Sequence, residues 1–135
     1  MVALLRDEPA AEDIESLLLT EEALVPSINL AEAIDQLLRI DRLPREPVED
    51  VLARLIQGGL SVLALDETIA WESATLRAAY YQRSARALSL PDCVVLAEAR
   101  RLGAAVLTSD PAIAETARLE GIDLIPVPDS QGRRP

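Results

Sequence analysis

Apolar residues recur every three or four positions along several segments of the chain, which is the spacing of a helix with one buried face. This spacing predicts helices over residues 10–19, 29–40, 48–57, 67–82, 91–103 and 111–119. Short apolar runs between them predict buried strands over residues 23–27, 61–65, 104–107 and 122–127. Strands that alternate with helices favour a parallel sheet with helices on both faces, and hence a three-layer α/β/α fold.

The length of 135 residues is that of one domain, and no internal repeat or low-complexity linker divides it. We therefore expect a single domain over residues 1–135, with a frayed tail from Pro128. No segment is expected to span a membrane, because the longest uncharged run, Leu55–Leu65, has only 11 residues. No signal peptide is recognisable, since the apolar start Met1–Leu5 is followed at once by Arg6. A cytoplasmic protein is expected.

The composition excludes several kinds of enzyme. The chain has no His and no Lys, which excludes an imidazole base, a His-bound zinc ion, a Schiff base and a Walker-type phosphate loop. The one Cys, Cys93, excludes internal disulfides. The side chains that remain for catalysis or ligand binding are carboxylates, arginines and hydroxyls. Because the formal net charge is −10, a nucleic-acid partner would need a local basic strip or a metal ion.

Three carboxylates lie near the starts of predicted helices. Glu32 is in the first turn of the helix after residues 23–27, Asp92 is in the first turn after the LSLP segment, and Asp110 follows the strand 104–107. Ligands of parallel sheets bind outside the carboxyl ends of the strands, so the three acids could converge there. Carboxylates that lie close together need a cation, and Mg²⁺ or Mn²⁺ prefers such oxygen ligands. A metal held in this way can activate water for phosphodiester cleavage.

Each of these acids also has the position of a helix cap. Asn29 with Glu32, and Ser89 with Asp92, have the spacing of capping boxes, and Asp110-Pro111 resembles an N-cap followed by Pro at the first helical position. Taken singly, an acid in such a position is more often a cap than a ligand. One alternative is therefore an α/β domain without a metal site, in which all three acids are only caps.

Three segments of the chain resemble, in the same order, the PIN-domain family and in particular the VapC-type ribonuclease toxins of toxin–antitoxin pairs. They are SINLAEAIDQLLR, LSLPDCVVLAEARRLGAAVLTSDPAIAE and GIDLIPV. The resemblance implies a cytoplasmic endoribonuclease that uses Mg²⁺ or Mn²⁺, is inhibited by an antitoxin and is often a homodimer. Carried over by motif, it implies that Glu32, Asp92 and Asp110 are the catalytic metal ligands. It further implies that Thr108 or Ser109 orients Asp110 or a metal-bound water.

The resemblance fails at the start of the chain. The family usually opens with a buried strand that ends in a metal-binding Asp, whereas this chain begins with MVALLRDEP, which resembles the helix that follows. Four strands are then visible where the family has five. Losing about four buried side chains at about 2 kcal/mol each would cost about 8 kcal/mol, which is comparable to the stability of a small domain.

Three explanations of this departure stay open. The true start could lie upstream, or the gene could be truncated. The chain could instead be a catalytically impaired PIN-like module that binds an antitoxin or another partner. A third explanation places the strand at Met1–Leu5, with Asp7 in place of the missing acid; it is less favoured, because Arg6–Pro9 matches the turn after the family's first helix.

The stretch between Glu72 and Asp92 lacks acids and mixes basic with aromatic residues. They are Arg77, Tyr80, Tyr81, Arg83 and Arg86. One hypothesis is an RNA path, in which the three arginines contact phosphates and the tyrosines stack on bases. The alternative is that the tyrosines pack on the core and the arginine stems cover apolar surface. Trp71 and Cys93 are expected to be packing residues.

Overall fold

The computed structural model describes residues 9–20 and 22–135. The predictions for Val2–Leu5 and Asp7 lie outside the described residues. Within them, helices and strands alternate in the predicted order. The elements are α1 (Ala11–Thr20), β1 (Leu24–Pro26), α2 (Ser27–Asp35, continued by a π-helix over Gln36–Ile40), α3 (Arg45–Gln57), β2 (Ser61–Leu63), α4 (Glu67–Tyr80), α5 (Leu90–Leu102), β3 (Val106–Thr108), α6 (Pro111–Glu120) and β4 (Leu124–Pro126).

The strands of the described residues form two parallel pairs. β1 pairs with β2, with Leu24 opposite Ser61, and β3 pairs with β4, with Val106 opposite Leu124. The predicted α/β fold with parallel strands is confirmed. The chain divides into two compact units, Met1–Ala64 and Leu65–Pro135, and each unit contains one of the two strand pairs.

Proline residues set the start of both helices that lie between β1 and β2. Pro26 has an extended backbone and is the N-cap of α2, which has no side-chain cap. The predicted capping box of Asn29 and Glu32 is therefore wrong, because the helix begins two residues before Asn29. α3 begins three residues earlier than predicted, since Pro47 lies in its first turn, where the N–H that proline lacks would have no helical partner.

The second unit has a continuous apolar core built from α4, α5, α6 and the ends of β3 and β4. Its buried members are Ile69, Leu76, Leu88, Cys93, Val94, Leu96, Ala97, Ala99, Val106, Ala117 and Ile122. The side chains of α5 are buried on most sides of that helix, which matches its run of small and branched apolar residues. Asp66 caps α4 by accepting a hydrogen bond from the Ile69 N–H at 2.8 Å.

Two expectations about single residues have opposite outcomes. Cys93 is fully buried, as predicted for a packing residue. Trp71 is 71% exposed, so the prediction that it packs in the core is wrong. The buried face of α4 carries Ile69 and Ser73 instead, and Trp71 lies on the opposite side of the helix.

The residues after Pro128 form a hydrogen-bonded turn. The Asp129 carboxylate accepts hydrogen bonds from the N–H groups of Gln131 and Arg133, both at 2.8 Å. The Arg134 guanidinium donates to the Pro126 carbonyl, which ties the turn to β4. Within the part of the chain that the structure describes, no helix is long and apolar enough to cross a membrane.

Candidate active site

Asp92 lies in the first turn of α5 and forms the predicted capping box with Ser89. The Ser89 hydroxyl accepts a hydrogen bond from the Asp92 N–H at 3.2 Å, and Asp92 Oδ2 accepts one from the Ser89 N–H at 2.7 Å. The start of the helix is further fixed by Pro91 in its first turn. The capping interpretation of Asp92 is thus confirmed.

The capping box uses only one oxygen of the Asp92 carboxylate. No described residue donates a hydrogen bond to Asp92 Oδ1, and the side chain is half-buried at the N-terminus of the helix. The positive end of the helix dipole stabilises negative charge at this position. A carboxylate has lone pairs on both oxygens, so Asp92 can cap α5 and still offer an oxygen ligand to a cation.

Asp110 also uses one carboxylate oxygen at a helix start, as the N-cap of α6. Its Oδ1 accepts hydrogen bonds from the N–H groups of Ala112 at 2.7 Å and Ile113 at 3.1 Å, which confirms the predicted N-cap. The Thr108 hydroxyl oxygen accepts a hydrogen bond from the Asp110 N–H at 3.0 Å and so holds the backbone at the end of β3. Asp110 Oδ2 accepts no hydrogen bond from a described residue, and the side chain is exposed.

Glu32 belongs to the first unit, where it is an exposed residue in the second turn of α2. Among the described residues, no group of three His, Cys, Asp or Glu side chains is close enough together to hold a metal ion. Asp92 and Asp110 both belong to the second unit. Mg²⁺ is usually bound by one or two carboxylates together with waters and substrate phosphates. The donor chemistry of Asp92 and Asp110 thus fits such an ion.

Arg77 is held beside the start of α5. Its Nε donates to the Leu88 carbonyl at 3.2 Å, and its guanidinium carbon lies 5.1 Å from the centre of the Tyr81 ring. Burial first, and the negative charge of Asp92 second, raise the pKa of Cys93 to about 11, while the charge of Arg77 opposes this shift. Cys93 is therefore a neutral thiol at physiological pH and has no thiolate chemistry.

The other two predicted RNA-binding arginines have different surroundings. The Arg86 side chain is 12% exposed, forms a salt bridge with Glu115 and lies 5.7 Å from the centre of the Tyr80 ring. The Tyr80 hydroxyl donates to Glu120 at 2.5 Å. These contacts favour the packing interpretation for Arg86 and Tyr80. Arg83 is exposed and forms no ion pair with a described residue.

Sequence reasoning missed Glu98, which is 3% exposed in the middle of α5. Its Oε2 accepts a hydrogen bond from Arg101 at 2.6 Å, whereas no described residue donates to its Oε1. Arg101 also binds Asp66 at 2.8 Å, so this exposed arginine forms salt bridges with one buried and one exposed carboxylate. The available signal was the position of Glu98 inside the apolar run VVLAEA, where every neighbour is small or branched.

Fold and site together describe a parallel α/β protein with carboxylate donors at two helix N-termini. The PIN domain family matches residues 1–119, and the chain belongs to this family. Members of the family are generally nucleases that require divalent metal ions. The predicted PIN membership is confirmed, whereas the narrower VapC-type resemblance stays a prediction. No curated protein matches the chain.

Proposed function

We propose that this PIN domain is a divalent-metal-dependent endoribonuclease of the VapC toxin type, which cleaves RNA phosphodiester bonds with a metal-activated water. The observation that carries the proposal is the double use of two carboxylates. One carboxylate oxygen of Asp92 and one of Asp110 accept the hydrogen bonds that cap a helix. The other oxygen of each accepts no hydrogen bond from the described residues.

In this proposal Glu32, Asp92 and Asp110 hold Mg²⁺ or Mn²⁺. When bound, the ion supplies an activated water and stabilises the charge that develops on the phosphate. The caps have their own role, because hydrogen bonds to backbone N–H groups fix the direction of the Asp92 and Asp110 side chains before any ligand arrives. The Thr108 hydroxyl positions Asp110 by accepting a hydrogen bond from the Asp110 N–H. Ser109 is the alternative residue for orienting Asp110 or a metal-bound water.

The test separates capping from metal binding by exchanging Asp for Asn. The amide oxygen of Asn can accept the same backbone hydrogen bonds as Asp, so Asp92→Asn and Asp110→Asn should keep the fold. The exchange removes the anionic oxygen, and cleavage of RNA with Mg²⁺ or Mn²⁺ should fall by about 10²-fold or more. Asp66→Asn is the matched control, since Asp66 also caps a helix in the same unit. Full cleavage by the Asp92→Asn, Asp110→Asn double variant would show that the site is wrong.

A catalytically impaired module that binds a partner is the second candidate function. It is favoured by the capping hydrogen bonds of Asp92 and Asp110, because these account for both carboxylates without a metal ion. A folded chain that cleaves no RNA at any concentration of Mg²⁺ or Mn²⁺ would support this candidate against the first. Removal of metal with EDTA is the complementary measurement, because it should abolish cleavage by a metal-dependent nuclease and leave partner binding unchanged.

The partners proposed with this function are RNA, an antitoxin protein and a second copy of the chain, in the cytoplasm. Of the three arginines, Arg83 is the best placed for a phosphate, since it is exposed and without an ion pair to a described residue. Arg83→Ala should weaken RNA binding and reduce its salt dependence by about one charge. Equal RNA affinity of Arg83→Ala and the unchanged chain would exclude this contact.

A further inference from the structure

Arg77 connects the last turn of α4 to the turn that precedes α5. Its Nε donates a hydrogen bond to the Leu88 carbonyl at 3.2 Å, across 11 residues of the chain. Leu88 is 1% exposed, and no other described residue donates a hydrogen bond to its carbonyl oxygen. Because a shielded carbonyl group needs a donor, the position of this turn depends on Arg77.

The Tyr81 ring holds the same guanidinium through its face. The guanidinium carbon of Arg77 lies 5.1 Å from the centre of the ring, which is within the range of a cation–π contact. Tyr81 is the C-cap of α4, and its N–H donates to the Arg77 carbonyl at 2.9 Å. A guanidinium group donates hydrogen bonds in its plane and stacks through its face, so it can make both contacts at once. The two contacts together fix the direction of the Arg77 side chain.

The peptide group that Arg77 binds is also part of the capping box of Asp92. Ser89 follows Leu88 and is the N-cap of α5. Its N–H donates to Asp92 Oδ2 at 2.7 Å, and this N–H belongs to the same planar peptide group as the Leu88 carbonyl. The Leu88–Ser89 peptide therefore accepts a hydrogen bond from Arg77 on one side and donates one to Asp92 on the other. Any rotation of this peptide moves the Asp92 carboxylate.

Arg77 supports Asp92 without binding it. No ion pair between the two side chains is found among the described residues, and none of these residues donates a hydrogen bond to Asp92 Oδ1. Both charges act on the same neighbouring thiol: burial raises the pKa of Cys93 most, the charge of Asp92 adds to this shift, and the charge of Arg77 opposes it. The arginine thus lies near the candidate site and leaves Asp92 Oδ1 available to a cation.

We infer that Arg77 is a positioning residue, which fixes the Leu88–Ser89 peptide and thereby the direction of the Asp92 carboxylate. The inference rests on the proposed function, because that function gives Asp92 Oδ1 a metal ion to bind. It replaces the phosphate contact that the sequence suggests for Arg77, since the Nε and the face of the guanidinium are already engaged. Removing a group that orients a metal ligand typically weakens metal binding by about 10–100-fold.

Amide hydrogen exchange of the full chain without divalent metal tests the contact itself. Arg77→Met keeps an apolar stem and removes the guanidinium, so exchange at the Ser89 N–H should become about 10-fold faster. Exchange at the Ala112 and Ile113 amides, which Asp110 caps, is the internal reference and should stay unchanged. Arg118→Met is the matched control, because Arg118 also donates to a backbone carbonyl at 3.2 Å, that of Pro135. This control should leave exchange at Ser89 unchanged.

Cleavage of RNA separates positioning from phosphate binding. For Arg77→Met, the Mg²⁺ concentration that gives half-maximal cleavage should rise by about 10-fold or more. The RNA affinity measured in EDTA, and its salt dependence, should match those of the unchanged chain. Arg77→Lys distinguishes the two roles again, since an ammonium group can replace a phosphate contact but lacks the planar face that stacks on Tyr81. This variant should therefore also require more Mg²⁺ than the unchanged chain.

Two results would overturn the inference. Unchanged exchange at Ser89 in Arg77→Met would show that Arg77 does not hold the peptide. Weaker RNA binding with an unchanged Mg²⁺ requirement would show that Arg77 contacts a phosphate instead. Failure of the proposed function gives a different result, because the unchanged chain would then cleave no RNA with Mg²⁺ or Mn²⁺. Faster exchange at Ser89 in Arg77→Met would in that case still support the positioning of Asp92, without a nuclease.

Discussion

The two compact units of the chain differ in how well they bury their own apolar residues. Among the described residues, the buried hydrophobic side chains of the unit Met1–Ala64 are Ala10, Ala11, Leu37 and Val48, whereas the unit Leu65–Pro135 has thirteen. β3 of the second unit has two buried residues, Val106 and Thr108, whereas Val62 of β2 is 42% exposed. Parallel strands are normally covered on both faces. The described residues of the second unit therefore form a larger apolar core than those of the first unit.

Local signals follow the same division. The helices of the second unit begin at side-chain caps, and α5 and α6 end at Gly103 and Gly121 in the left-handed conformation. In the first unit α2 and α3 begin after Pro26 and Pro44 with no side-chain cap. In the second unit, therefore, local sequence and tertiary packing favour the same helix boundaries, which is the condition for cooperative folding.

The largest effect is expected from removing core volume in the second unit. Leu96 is fully buried, and Leu96→Ala should lower the free energy of unfolding by about 2–5 kcal/mol because it leaves a cavity among helices that cannot collapse fully. Leu37 is also fully buried, but fewer buried apolar residues are described in its unit, so Leu37→Ala should cost less. Urea unfolding of the two variants makes the comparison. Equal losses of unfolding free energy in the two variants would contradict the proposed difference in core packing between the units.

The helix boundaries in the second unit could be predicted, because each has a local chemical cause. Ser89 and Asp110 cap their helices as the sequence predicts, Asp66 caps α4 at its predicted start, and Gly103 follows the last residue of α5. The starts of α2 and α3 could not be predicted in the same way. Proline lacks an N–H, so a proline near a helix start fits both the last loop residue and the first turn.

The candidate site shows a different limit of sequence reasoning. The sequence identifies Asp92 and Asp110 as acids at helix starts and offers capping and metal binding as alternatives. The hydrogen bonds show that capping occupies one oxygen of each carboxylate, so the alternatives are compatible. Glu98 was missed because the periodicity of apolar residues reports which face of a helix is buried, not whether a polar residue within that face is also buried.

The buried carboxylate of Glu98 offers the second test, because it is the one described exception to the apolar core of α5. Glu98→Met should leave stability unchanged or raise it, since it removes a buried oxygen that has no hydrogen-bond partner. Arg101→Ala should lower the unfolding midpoint, because it leaves the Glu98 charge buried without its partner. Arg133→Ala, which breaks an exposed pair with Asp129, is the control and should have little effect. A destabilised Glu98→Met variant would show that the buried carboxylate stabilises the unit.

The third test uses Cys93 to follow the second unit alone. Its pKa is raised to about 11 from 9.0, mainly by burial, so the folded state retains the thiol proton more strongly than the unfolded state. The resulting stability is complete below about pH 9 and is lost as the pH rises towards about 11. The urea midpoint should therefore fall more steeply between pH 9 and 10.5 for the unchanged chain than for Cys93→Ala. If the urea midpoints of the two chains fall equally with pH, burial in this core does not raise the pKa of the thiol.

The smallest effects are expected for ion pairs, and here too the units should differ. Asp35 and Arg39 form an exposed pair within α2, with side chains 53% and 68% exposed, and Arg39→Ala should give no measurable change in stability. Arg86 is only 12% exposed, binds Glu115 and lies against the Tyr80 ring, so Arg86→Ala should cost about 1 kcal/mol. Denaturant midpoints at low and high salt should separate the two pairs, because salt screens exposed charges more strongly than buried ones. If neither substitution changes the midpoint, the link from Arg86 to α6 does not stabilise the second unit.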